Sequence, residues 1–112
     1  MYKLCPVDID RSKELIDKVR DFAKALPQLL PVNEIYLYGS FAKDEMHEGS
    51  DIDLLIIGDF KERIFERIGK ILDLTDLPIE PIAYSNEEFD ELKDSQNPFI
   101  KEILKTAIRL YP

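Results

Sequence analysis

Residues 51 to 57 read Asp-Ile-Asp-Leu-Leu-Ile-Ile, and this stretch limits the architecture more than any other. Four consecutive large aliphatic residues leave no polar face, so Leu54 to Ile57 predict a strand buried on both sides, hence a central one. The strand opens on two carboxylates at i and i+2. Side chains two apart on a strand share a face and lie about 6.6 Å apart along it. Charge at the entrance to an apolar strand is costly unless something binds there. Asp51 and Asp53 are therefore candidate ligands for a hard cation. Mg²⁺ suits them, because it prefers oxygen and is commonly held by one or two carboxylates together with substrate phosphates.

A second short apolar run, Ile35 to Tyr38, stops abruptly at Gly39-Ser40. A glycine at a strand end lets backbone approach a ligand closely. Residues 41 to 46 can open a short helix, whose free amides favour a phosphate. The two runs together predict a metal–nucleotide site.

The remaining elements follow from periodicity and punctuation. Residues 1 to 7 read as an extended lead-in. Asp8 or Asp10 can cap a helix to about Leu26, with Leu15, Ile16, Val19, Phe22, Ala23 and Leu26 on one stripe and Pro27 and Pro31 as stops. Strand one covers about Glu34 to Tyr38; Tyr36 and Tyr38 read equally as core or partner-facing. Phe60, Ile64, Ile68, Ile71 and Leu72 mark a helix over about 61–74. Leu77 to Tyr84 forms a third strand, placed at an edge by Pro81, which cannot donate to a ladder. Ser85 and Glu88 form a capping box for a short helix to about Lys93, on which Glu87, Glu88, Asp90 and Glu91 read as a solvated face. Asn97-Pro98 starts a last helix whose apolar positions run from Phe99 to Ile108. The order α-β-α-β-α-β-α-α, with a short interval between the first two strands, predicts an α/β (α+β) domain: a small mixed sheet flanked by helices, spanning residues 1–112 as one unit.

Charge narrows the function. The formal net charge is −8, with 23 Asp and Glu against 15 Lys and Arg. A protein that grips nucleic acid by itself usually carries a basic patch, so direct nucleic-acid binding is not expected. No apolar run reaches the length of a membrane span, and the N-terminus lacks the apolar segment of a signal peptide. The single cysteine, Cys5, permits no internal disulfide, which suits a reducing cytoplasm. His47 stands alone in a polar loop, so no zinc cluster is expected.

Gly39-Ser40, ten residues, then Asp51-x-Asp53 resembles the GS-x10-DxD signature of the polymerase-β-like nucleotidyltransferases. The flanking Gly-Ser-Phe-Ala-Lys and Ser-Asp-Ile-Asp-Leu-Leu-Ile resemble their small prokaryotic branch, the minimal nucleotidyltransferases (MNT). The resemblance implies transfer of a nucleoside monophosphate, here AMP from ATP, to an acceptor hydroxyl with release of pyrophosphate. Asp51 and Asp53 would hold two Mg²⁺ ions and Gly39 and Ser40 the triphosphate. A third carboxylate on the next strand, here Glu80, would complete the metal site and take the acceptor's proton. The family more often has Asp at that third position. It also often has Arg and Gly where this chain has Lys43 and Asp44. The branch resembles the antitoxin half of MNT–HEPN toxin–antitoxin pairs, which implies a helical HEPN-type protein as acceptor, modified on a tyrosine. A second copy of the chain could also complete the acceptor surface as a homo-oligomer. The competing expectation is a module that neutralises its partner by contact, without turnover.

Overall fold

The computed structural model describes residues 5–39 and 51–112, with side chains from residue 13 onward. In chain order its elements are α1 (Cys5–Leu29), β1 (Val32–Tyr38), β2 (Ile52–Gly58), α2 (Ile64–Leu72), β3 (Ile79–Ser85), α3 (Asn86–Asp94), α4 (Pro98–Thr106) and β4 (Ile108–Tyr111). The short helix expected after Gly39-Ser40 lies outside the described residues.

The strands form one sheet in the order β3-β2-β1-β4. β2 runs antiparallel to β1 and parallel to β3, so the sheet is mixed, as the short interval between the first two strands implies. β2 is central. Its alternate residues feed two cores: Leu54 and Ile56 face Val19, Ala23 and Leu26 of α1 and Ile71 of α2. Leu55 and Ile57 face Phe89 of α3 and Ile100 and Ile103 of α4. The aliphatic run is thus apolar on both sides because helices cover both sides. β3 is an edge strand, which is where Pro81 is tolerated.

Three boundaries differ from expectation. α1 already includes residues 5–7, so neither Asp8 nor Asp10 is its cap. It also continues through Pro27 to Leu29, and Leu30 donates its N–H to Leu26 O at 2.9 Å. A proline in the last turn forfeits only one bond there, while the continued turn brings Leu30 onto the core. Pro31 is the real stop. The last helix ends at Thr106 rather than running on through Ile108. Ala107 turns extended (φ −66°, ψ 148°), and Ile108–Tyr111 adds antiparallel to the free edge of β1. The apolar spacing that reads as one helix face is therefore divided between a helix and a strand. The element order among the described residues is α-β-β-α-β-α-α-β.

The local signals at α3 and α4 hold. Ser85 Oγ accepts from Glu88 N at 3.1 Å and Glu88 Oε1 accepts from Ser85 N at 2.8 Å, closing the capping box. Asn97 Oδ1 accepts from Phe99 N and Ile100 N at 3.0 and 3.2 Å, with Pro98 opening α4. Between the helices Gln96 adopts φ +57°, and Asn97 N bonds Leu92 O at 3.0 Å, a Schellman ending with glutamine in the left-handed position.

Glu88 also has a task beyond the solvated face expected of it. Arg67 of α2, only 6% exposed, donates to Glu88 Oε1 at 2.6 Å, to Ala83 O at 3.1 Å and to Glu62 O at 2.7 Å. One guanidinium thus ties α2, β3 and α3 together, and it pulls the Glu88 carboxyl below its ordinary pKa.

Among the described residues no helix is long and apolar enough to cross a membrane.

Candidate active site

Strand register assembles the site. Tyr38 of β1 pairs with Asp53 of β2, and Asp53 pairs with Glu80 of β3. The three side chains form one transverse row across the sheet, on the face that α3 and α4 cover further along. The row lies where β1 ends and where β2 and β3 begin, so the parallel β2–β3 pairing brings two carboxylates from distant sequence side by side.

Asp53 and Glu80 lie close enough to share a hydrogen bond. The Asp53 carboxyl is pushed above its ordinary pKa, first by burial, then by the Glu80 charge and that bond, and last by the Asp51 charge. Tyr38 responds to the same field: burial, then the charges of Asp53 and Glu80, push its hydroxyl up to about 12. Two carboxylates forced together in a partly desolvated place are an arrangement that a divalent cation neutralises.

Gly39 follows Tyr38 at φ +76°, a conformation that L side chains rarely adopt. A Cβ built on it would collide with the Asp53 carboxylate. Glycine is therefore needed here twice, for the backbone angle and to make room for the carboxylate.

Asp51 is exposed, one residue ahead of β2. Its charge reaches Asp53, yet among the described residues no three acidic, histidine or cysteine side chains converge closely enough to cage a metal ion. The structure thus brings together Asp53, Glu80 and Gly39 and leaves Asp51 at the rim. Ser40, with Lys43, Asp44 and His47, lies outside the described residues. Tyr38 is the site neighbour that sequence reasoning left unresolved. The signal available for it was parity, since a strand residue directly before Gly39 takes its place in the row that register completes.

A larger cavity among the described residues, about 820 Å³, lies elsewhere. It is lined by Arg63, Arg67, Tyr84 and Glu88 around the C-terminal end of β3. Tyr84 is about 13 Å along the strand from Glu80. The paired carboxylates, not cavity size, mark the chemistry.

The fold has counterparts among known proteins. The profile of the nucleotidyltransferase-domain family matches residues 19–111. A Methanocaldococcus jannaschii protein named "Putative protein adenylyltransferase MJ1379" is 28% identical over 92 residues, covering 82% of this chain and 89% of that protein. A crystal structure described as a putative nucleotidyltransferase from Sulfolobus solfataricus superposes with a TM-score of 0.62 at 20% identity, over 77% of this chain and 80% of the other. A chain from a toxin–antitoxin crystal structure with AMP-PNP superposes with a TM-score of 0.57 at 18% identity, over 82% of this chain and 72% of the other. The family match spans most of the chain, both superpositions reproduce its fold, and the chain belongs to the nucleotidyltransferase-domain family as a minimal, MNT-type member.

Proposed function

We propose that this protein transfers AMP from ATP to a hydroxyl group of a partner protein, using Mg²⁺. The observation that carries the reading is the Asp53–Glu80 pair, held side by side by register with Gly39 packed against it. Its donors fit the metal: both are hard carboxylate oxygens, burial and then the Glu80 charge raise the Asp53 pKa, and two carboxylates plus phosphate oxygens suffice for Mg²⁺. Asp53 and Glu80 would hold it, with Asp51 joining from the rim. Two ions are expected by likeness to the family. The chemistry such a metal would supply is neutralisation of charge on the phosphate oxygens.

The chain's own groups do the rest. Gly39, with no side chain, lets the backbone and Ser40 approach the triphosphate. The acceptor hydroxyl oxygen attacks the α-phosphorus as the bond to the bridging oxygen of the β-phosphate breaks. Pyrophosphate leaves, and Glu80 takes the hydroxyl proton. Likeness to a protein named a putative protein adenylyltransferase supports a protein acceptor. Likeness to MNT–HEPN pairs further proposes a HEPN-type toxin modified on tyrosine, in the cytoplasm, with this chain as antitoxin.

The test is calorimetric titration of Mg·ATP into the wild type and the Asp51→Asn/Asp53→Asn double variant. Binding that requires Mg²⁺ and disappears in the variant is expected. Wild type that binds no nucleoside triphosphate with metal, alone or with its partner, refutes the reading. The contact-only alternative draws on Glu80 standing where Asp is commoner and on Asp51 lying at the rim. It predicts that Asp53→Asn still neutralises the partner, whereas the enzyme reading predicts loss.

A further inference from the structure

A small cavity of about 110 Å³ opens at the end of β1, lined by Tyr38, Gly39, Phe99, Glu102, Ile103 and Thr106. One wall is Gly39, the residue in contact with Asp53. The opposite wall is α4. Phe99 meets the Tyr38 ring edge-on, with centroids 6.0 Å apart and planes at 87°, and Phe99 remains 45% exposed. An aromatic ring held by its neighbour yet open to solvent is a stacking surface. The polar rim is asymmetric. Thr106 Oγ1 donates to Glu102 O at 3.4 Å, which commits its proton and leaves lone pairs, and the Glu102 carboxylate is exposed. The Glu102–Thr106 edge therefore accepts hydrogen bonds, while on the facing wall the Tyr38 hydroxyl is a donor among the described residues.

We propose that this slot seats the nucleobase of the nucleoside triphosphate, stacked on Phe99, and that Glu102 and Thr106 select a base bearing an exocyclic amino group. The inference rests on the nucleotidyltransferase reading and extends it to the choice of base. Concave and mostly apolar with a few polar groups at one edge, the slot has the character of a small-ligand subsite. Its continuity with Gly39 and Asp53 would direct the phosphates to the carboxylates.

The test compares calorimetric affinities for Mg·ATP, Mg·UTP and Mg·tripolyphosphate, the last carrying the phosphates without a base. Phe99→Ala should weaken ATP by between about 5- and 150-fold, the range for one base–aromatic stack, and leave tripolyphosphate unchanged. Thr106→Trp, which fills the slot from its exposed rim without touching the core, should act in the same way. Wild type should prefer ATP to UTP, and Glu102→Ala should narrow that preference. Unchanged ATP affinity in both Phe99→Ala and Thr106→Trp overturns the proposal, as does equal loss of ATP and tripolyphosphate. Equal affinity of wild type for ATP and UTP overturns the base selectivity. Failure of wild type to bind even tripolyphosphate instead sinks the nucleotidyltransferase reading, so the two failures are separable.

Discussion

Arg67→Ala tests the least expected feature of the fold. The substitution removes the guanidinium that bonds Glu62 O, Ala83 O and Glu88 and lies 5.7 Å from the centre of the Phe60 ring. The Ala83 carbonyl bond is a buried one, and leaving that oxygen without its donor costs about 1–3 kcal/mol. The ion pair contributes less. The Glu88 side chain is 45% exposed, so water readily replaces the guanidinium, and about 1 kcal/mol is a fair allowance. Lost packing on Phe60 adds a fraction of this. Because these effects overlap, we expect about 3 kcal/mol in total, or a fall in Tm of about 12 °C for a domain of this size. Urea denaturation followed by circular dichroism should show a lower midpoint with an unchanged slope. Acid adds a signature. Glu88 has a depressed pKa in the fold, so the pair's contribution is full above the ordinary carboxylate range and is lost as pH falls through the depressed value. The gap between wild type and variant should narrow there. A loss below about 1 kcal/mol at neutral pH would refute the view that Arg67 joins three elements.

Three further outcomes are expected. Asp53→Asn should leave the metal-free protein at least as stable as wild type, since it relieves repulsion with Glu80. Because the folded-state pKa of Asp53 is raised, the ionised carboxylate disfavours the fold, and the gain should build as pH rises from the ordinary carboxylate value to the raised one and stay constant above it, read in thermal scans. The same variant should show no Tm increase with Mg·ATP. Gly39→Ala should lose about 1–2 kcal/mol from the φ +76° strain alone, with nucleotide binding reduced further by its collision with Asp53, measurable by denaturation and calorimetry. Gln96→Gly should gain about 1 kcal/mol in urea denaturation, because glycine takes the φ +57° position without a Cβ penalty.

The sequence alone determined what depends on neighbouring residues. Continuous Leu54 to Ile57 required a central strand buried on both faces. Pro81 required an edge, and Ser85/Glu88 and Asn97-Pro98 placed two helix starts, because capping is chemistry within a few residues. Asp53, Glu80 and Gly39 were legible as site candidates through their setting in strands and their likeness to a known signature. Tertiary structure alone decided what depends on partners distant in sequence. Ile108 to Leu110 carries the spacing of the preceding helix, and only the vacant edge of β1 makes it a strand. Arg67 is one more charged residue on a helix until burial puts the carbonyl of Ala83 and the carboxylate of Glu88 around it. Tyr38 joins the acidic row through register, which sets side chains from three strands in line. Phe99 meets Tyr38 of that row because α4 packs on the same face of the sheet. Local rules place elements, while register and packing place side chains across them, and a site shared by strands and a helix needs both.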